Sequence, residues 1–181
     1  MGVLTDFFLA SPEELRAACR GWKEPLATRV KRQGVNPFTK KPMEILTTAP
    51  DEPFAADTVR HLDLSRFHPV DLKGLGTSDM EELMRVALGA SDEEARAVYD
   101  IAIHGPPDTD EMILCVPPAL VARLARMSPT DIAGCGGRWH EVFESGLRSP
   151  GERASDYLTP LVELARRAMS ENRQMFMWMC P

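Results

Sequence analysis

Gln174-Met-Phe-Met-Trp-Met-Cys-Pro181 is an unbroken apolar run. It follows directly on a stretch in which Leu158, Leu161, Leu164, Ala165 and Ala168 recur at helical spacing. A short apolar run without alternation, set behind an amphipathic helix, reads as a buried strand that completes the core. Working back along the chain, Val3 to Leu9, Met43 to Thr48, Pro69 to Leu72 and Met112 to Val116 have strand composition and are bounded by turn residues or loops.

Helix starts are marked by serine boxes, in which the hydroxyl accepts from the amide three residues on and the acid there reaches back. Five occur: Ser11-Pro-Glu-Glu14, Ser78-Asp-Met-Glu81, Ser91-Asp-Glu-Glu94, Ser128-Pro-Thr-Asp131 and Ser149-Pro-Gly-Glu152. After Ser78, the residues Met80, Leu83, Met84, Ala87 and Leu88 fall on one face and Gly89 is a stop. Leu120, Leu124 and Met127 follow the opening Pro117-Pro118 in the same way. Strands and helices interleave irregularly, which predicts an α+β fold rather than a doubly wound sheet. The expectation is a single domain over residues 1–181: a small mixed sheet of about five strands packed with about six helices, the C-terminal strand in the core.

The chain has 181 residues, 44% of them hydrophobic and 27% charged, an ordinary globular balance. Folding at this length buries roughly 70% of the unfolded surface, enough for a core without disulfides or a structural metal. Cys19, Cys115, Cys135 and Cys180 show no paired spacing and read as reduced thiols. No basic leader precedes Val3 and no stretch nears the ~18 apolar residues of a membrane helix, so a cytoplasmic location is expected.

Charge is uneven. Residues 20–41 hold Arg20, Lys23, Arg29, Lys31, Arg32, Lys40 and Lys41 against the single acid Glu24, inside a chain of formal net charge −6. They belong to a segment, about 21–57, that reads as irregular. A basic arm on an acidic body fits either nucleic-acid phosphates or the protein's own acidic surface; with no nucleic-acid fold signature beside it, docking to its own body is the stronger reading. Elsewhere the acids cluster as Asp79, Glu81 and Glu82, as Asp92, Glu93 and Glu94, and as Asp108, Asp110 and Glu111. The first two groups stand in opening helical turns, where the macrodipole favours them, and all three offer a face to a basic partner.

Several chemical motifs fail on their spacing. His140-Glu-Val-Phe-Glu144 starts like the helical zinc-protease motif but carries Glu144 where the second His is required, and a helix with Trp139 and Phe143 turned inward accounts for it. Lys73-Gly-Leu-Gly-Thr-Ser78 lacks the Lys-Ser/Thr ending of a phosphate loop and reads as a tight turn. Cys135 and His140 form a nucleophile and base only if a pocket holds both, although residues five apart on a helix diverge. Cys115, Cys135, His140 and Cys180 have no metal-ligand spacing. His61, His68 and His104 read as solvated or capping residues.

Val3-Leu-Thr-Asp-Phe-Phe-Leu-Ala10 with the following Ser-Pro-Glu-Glu, Asn36-Pro-Phe-Thr-Lys-Lys-Pro42, Val70-Asp-Leu-Lys-Gly-Leu75, Arg138-Trp139, Leu164-Ala-Arg-Arg-Ala168 and Met175-Phe-Met-Trp178 together resemble a family of small, largely uncharacterised bacterial proteins. Phe176 is displaced by one residue from the aromatic that precedes the C-terminal Trp in that pattern. The chain is similar in style to immunity proteins of bacterial toxin–antitoxin systems. That resemblance implies a protein-binding role without catalysis, no cofactor and no metal, in which a basic toxin is occluded through surface complementarity. On charge, the contact residues are Asp79, Glu81, Glu82, Asp92, Glu93, Glu94, Asp108, Asp110 and Glu111. The alternatives are a Cys135/His140 enzyme and nucleic-acid binding through residues 20–41.

Overall fold

In the computed structural model, which describes residues 4–19, 22, 29–35, 42–48, 62–99, 101–105, 110–142 and 153–180, the apolar run is strand β7, Gln174–Cys180. It lies in the middle of a five-stranded sheet. Strand β1 (Leu4–Ala10) pairs with it along its whole length on one side and β6 (Met112–Cys115) on the other. Outside these lie β4 (Val70–Asp71) and β5 (Ile101–His104), giving the order β4-β1-β7-β6-β5. Every pairing is antiparallel, where a mixed sheet was expected. The α+β class and the central C-terminal strand stand as read from the sequence.

Both faces of the sheet are covered, which is why β7 and β1 lack polar alternation. On the first face, Phe7, Leu9, Leu114, Met175, Met177 and Met179 pack against helices α2 (Thr77–Leu88), α4 (Pro118–Ala125), α5 (Pro129–Val142) and α6 (Ala154–Glu171). On the second face, Phe8, Ile113 and Phe176 meet Leu15 of α1 (Pro12–Ala18), Cys19, Trp22 and Phe67. Phe8 stacks on Phe176 at 5.7 Å between ring centroids. Short helix α3 (Asp92–Ala95) adds Ala95 to the first core.

Capping follows the serine boxes at three positions. Ser11 and Glu14, Ser91 and Glu94, and Ser128 and Asp131 exchange the expected bonds. The box at Ser78 does not form: α2 begins at Thr77, and the Asp79 carboxylate accepts from the Gly76 amide at 2.7 Å, so the cap lies two residues earlier than expected. Gly89 closes α2 at φ 67, as its position predicted. The Ser149 box lies outside the described residues. Within the segment read as irregular, β2 (Arg29–Val35) and β3 (Pro42–Thr48) form a separate two-stranded antiparallel sheet. Strands β2 and β5 were not anticipated.

Candidate protein-binding surface

Helix α2 presents one apolar side inward, with Met80, Leu83 and Met84 buried, and this leaves Glu81, Glu82 and Arg85 half-buried on its outer flank. Arg85 organises that outer side. Its guanidinium meets Glu81 one turn back at 3.2 Å, Glu82 three residues back, and Asp92 across the α2–α3 connection at 3.0 Å. Two of the acidic clusters expected from the sequence are therefore drawn into one group around a single cation. Glu93 and Glu94 flank it in the exposed first turn of α3. The Glu94 carboxyl is held below its usual range by the Ser91 amide, then by the Ser91 hydroxyl, so it stays ionised as the cap of that helix.

Asp79 leaves this surface. It is 2% exposed, its carboxylate caps Gly76, and its main-chain oxygen accepts from the indole of Trp139 at 3.0 Å. The charge pattern selected it, but a carboxylate sealed into a cap offers nothing to a partner. The same bond disposes of an anion site at the Lys73–Ser78 turn, because Asp79 itself occupies the helix N-terminus. Asp110 is exposed, and half-buried Glu111 accepts from the Trp178 indole at 3.2 Å, which places this third cluster with the second sheet face, away from α2 and α3. Asp108 lies outside the described residues.

The Cys135/His140 pair does not assemble. Cys135 is buried in the first core, where burial pushes its thiol up, while His140 is exposed on α5. A nucleophilic cysteine needs the reverse, an accessible and depressed thiol. Trp139 is turned inward as expected; Phe143, Glu144 and His61 lie outside the described residues. His68 caps a 3-10 turn at Leu64–Phe67 with φ 48, and exposed His104 ends β5. Cys115 packs against the second sheet face and Cys135 against the first, so the sheet itself separates members of the four-residue zinc set. Among the described residues no three His, Cys, Asp or Glu side chains are gathered as a metal would require.

A second acidic feature was not anticipated. Asp6 of β1 stands directly opposite Asp71 of β4, and Lys73 pairs with Asp71 at 2.9 Å. Burial raises the Asp6 carboxyl, Asp71 raises it further and Lys73 offsets part of the rise. The position of Arg85 was legible, since it follows Glu81 and Glu82 at helical contact spacing. The facing of Asp6 and Asp71 was not, because it depends on strand order.

Comparison of the chain with protein-family models, curated proteins and solved structures finds no match.

Proposed function

We propose that this chain is a protein-binding, immunity-type protein that neutralises a basic toxin by covering it, without chemistry of its own. The observation that supports this reading is the Arg85 cluster. Glu81, Glu82 and Asp92 are held in place by one guanidinium, with Glu93 and Glu94 alongside, so a net negative surface is presented with little side-chain freedom left to lose on binding. Asp92 keeps 81% of its side chain exposed within the cluster, available to an incoming cation. Fixed acids of this kind steer a basic partner and set its register, while buried anchors on the partner supply most of the affinity.

The test is affinity capture of tagged protein from its native extract at low and moderate salt, with mass spectrometry, beside the variant Glu82→Lys/Asp92→Lys/Glu93→Lys. One stoichiometric basic protein, lost from the variant and inactivated by the wild-type chain in a toxicity assay, is the expected result. Capture of nothing, or equal capture by the variant, removes the reading.

A further inference from the structure

We propose that the β2–β3 ribbon is a second binding site, for the phosphate backbone of duplex nucleic acid. Two observations meet there. The sequence concentrates cations at Arg29, Lys31 and Arg32 of β2, against the one acid Glu44 over the two strands. The backbone at those positions is an antiparallel two-stranded ribbon with seven residues on each side. Strands in such a ribbon lie about 5 Å apart, and the major groove of B-form DNA, about 12 Å wide, admits this element.

Register sharpens the point. Arg29 lies opposite Thr48, Lys31 opposite Leu46 and Arg32 opposite Ile45, whereas Glu44 lies opposite Gln33. No cation of β2 therefore stands directly opposite a carboxylate across the ladder; Glu44, diagonal to Lys31, is the one acid on the face shared by Arg29 and Lys31. Arg29 and Lys31, two positions apart, share one face and stand about 7 Å from each other along the strand. The chain as a whole carries a formal charge of −6, so the cations of this element are gathered against an acidic background. This site is distinct from the Arg85 cluster, and the two readings stand or fall separately.

The experiment uses the full chain and a fluorescent duplex of about 20 base pairs, titrated by anisotropy at about 50 and 200 mM salt. Three phosphate contacts predict a slope near −3 in log affinity against log salt, hence roughly forty-fold weaker binding at the higher salt. Arg29→Glu/Lys31→Glu/Arg32→Glu is expected to abolish binding and Arg29→Gln/Lys31→Gln/Arg32→Gln to weaken it and flatten the salt slope, with circular dichroism unchanged. If the variants unfold, the wild-type salt slope alone decides. Absence of binding at low salt, binding insensitive to salt or to the substitutions, or binding to phosphatidylserine vesicles without binding to the duplex overturns the proposal.

Discussion

The indole Nε1 of Trp139 donates to the main-chain oxygen of Asp79 at 3.0 Å, fastening the last turn of α5 to the first turn of α2. The ring is fully buried, so it contributes both packing and a directional bond. Trp139→Phe keeps most of the packing and loses the bond, for an expected cost of about 1–2 kcal/mol. Trp139→Ala leaves a cavity as well and is expected to cost about 3–5 kcal/mol. Urea denaturation of both variants checks the order; an unchanged stability in Trp139→Phe would show that the bond contributes nothing.

The glycines of α5 separate into two kinds. A Cβ at Gly136 would lie 3.1 Å from Ser155 Cβ and 3.2 Å from its Cα, too close for α5 and α6 to keep their spacing, whereas nothing stands within 4 Å of one at Gly134 or Gly137. Gly137→Ala is therefore expected to raise stability by about 0.5–1 kcal/mol through helix propensity. Gly136→Ala should lower it, because the neighbour that must move is backbone. Thermal melts of the two single variants give the signs directly.

Asp6 sets a pH dependence of unusual direction for a carboxylate. Its folded-state affinity for a proton is raised, so the folded chain holds that proton more tightly than the unfolded chain does. The stability it contributes is present in acid and lost as pH rises through the carboxyl's folded range. Glu14, Asp63, Glu94 and Asp131 run the other way, since hydrogen bonds from Ser11, Ser65, Ser91 and Ser128 respectively lower them and their contribution is lost as pH falls. Asp6→Asn is expected to stabilise the protein at neutral pH by about 0.5 kcal/mol, the scale of like charges opposed at a solvent-screened sheet edge, with the advantage shrinking in acid. A stability series from pH 4 to 7.5 on both proteins measures it.

Thiol reactivity should follow burial. Cys19 is pushed up to about 12, by burial first and by the Glu111 carboxylate second, and Cys135 is raised by burial. Cys115 and Cys180 are only half-buried. Under native conditions iodoacetamide is expected to modify Cys115 and Cys180 first and to reach Cys19 and Cys135 only with unfolding. Peptide mapping of a labelling time course shows the order, and early modification of Cys135 would reopen a catalytic role for it.

Much of the architecture was legible where one physical signal dominated. The apolar run of β7, the inward face Leu158, Leu161, Leu164, Ala165 and Ala168 of α6, and Gly89 as a helix stop each rest on burial or backbone freedom that a local window contains. Strand β5 escaped because four residues with a register shift between Ile101 and Ile103 show no alternation. Strand β2 escaped because Arg29-Val-Lys-Arg-Gln33 reads as a solvated charge run until its pairing with β3 is known. The acidic surface was half legible: composition marks the first turn of α2 as acidic, but only the start at Thr77 decides that Asp79 turns into the cap while Glu81 and Glu82 turn to Arg85.

The position of β7 also governs when the protein can fold. Residues 4–10 pair with residues 174–180, so β1 is made long before its main neighbour, and Phe7, Phe8 and Leu9 lack that partner until residues 174–180 have been added. Contacts this distant along the chain slow folding and leave apolar strands open to aggregation meanwhile. A nascent chain halted before residue 174 lacks the strand that joins β1 to β6, so the two halves of the sheet have no link until that strand is made.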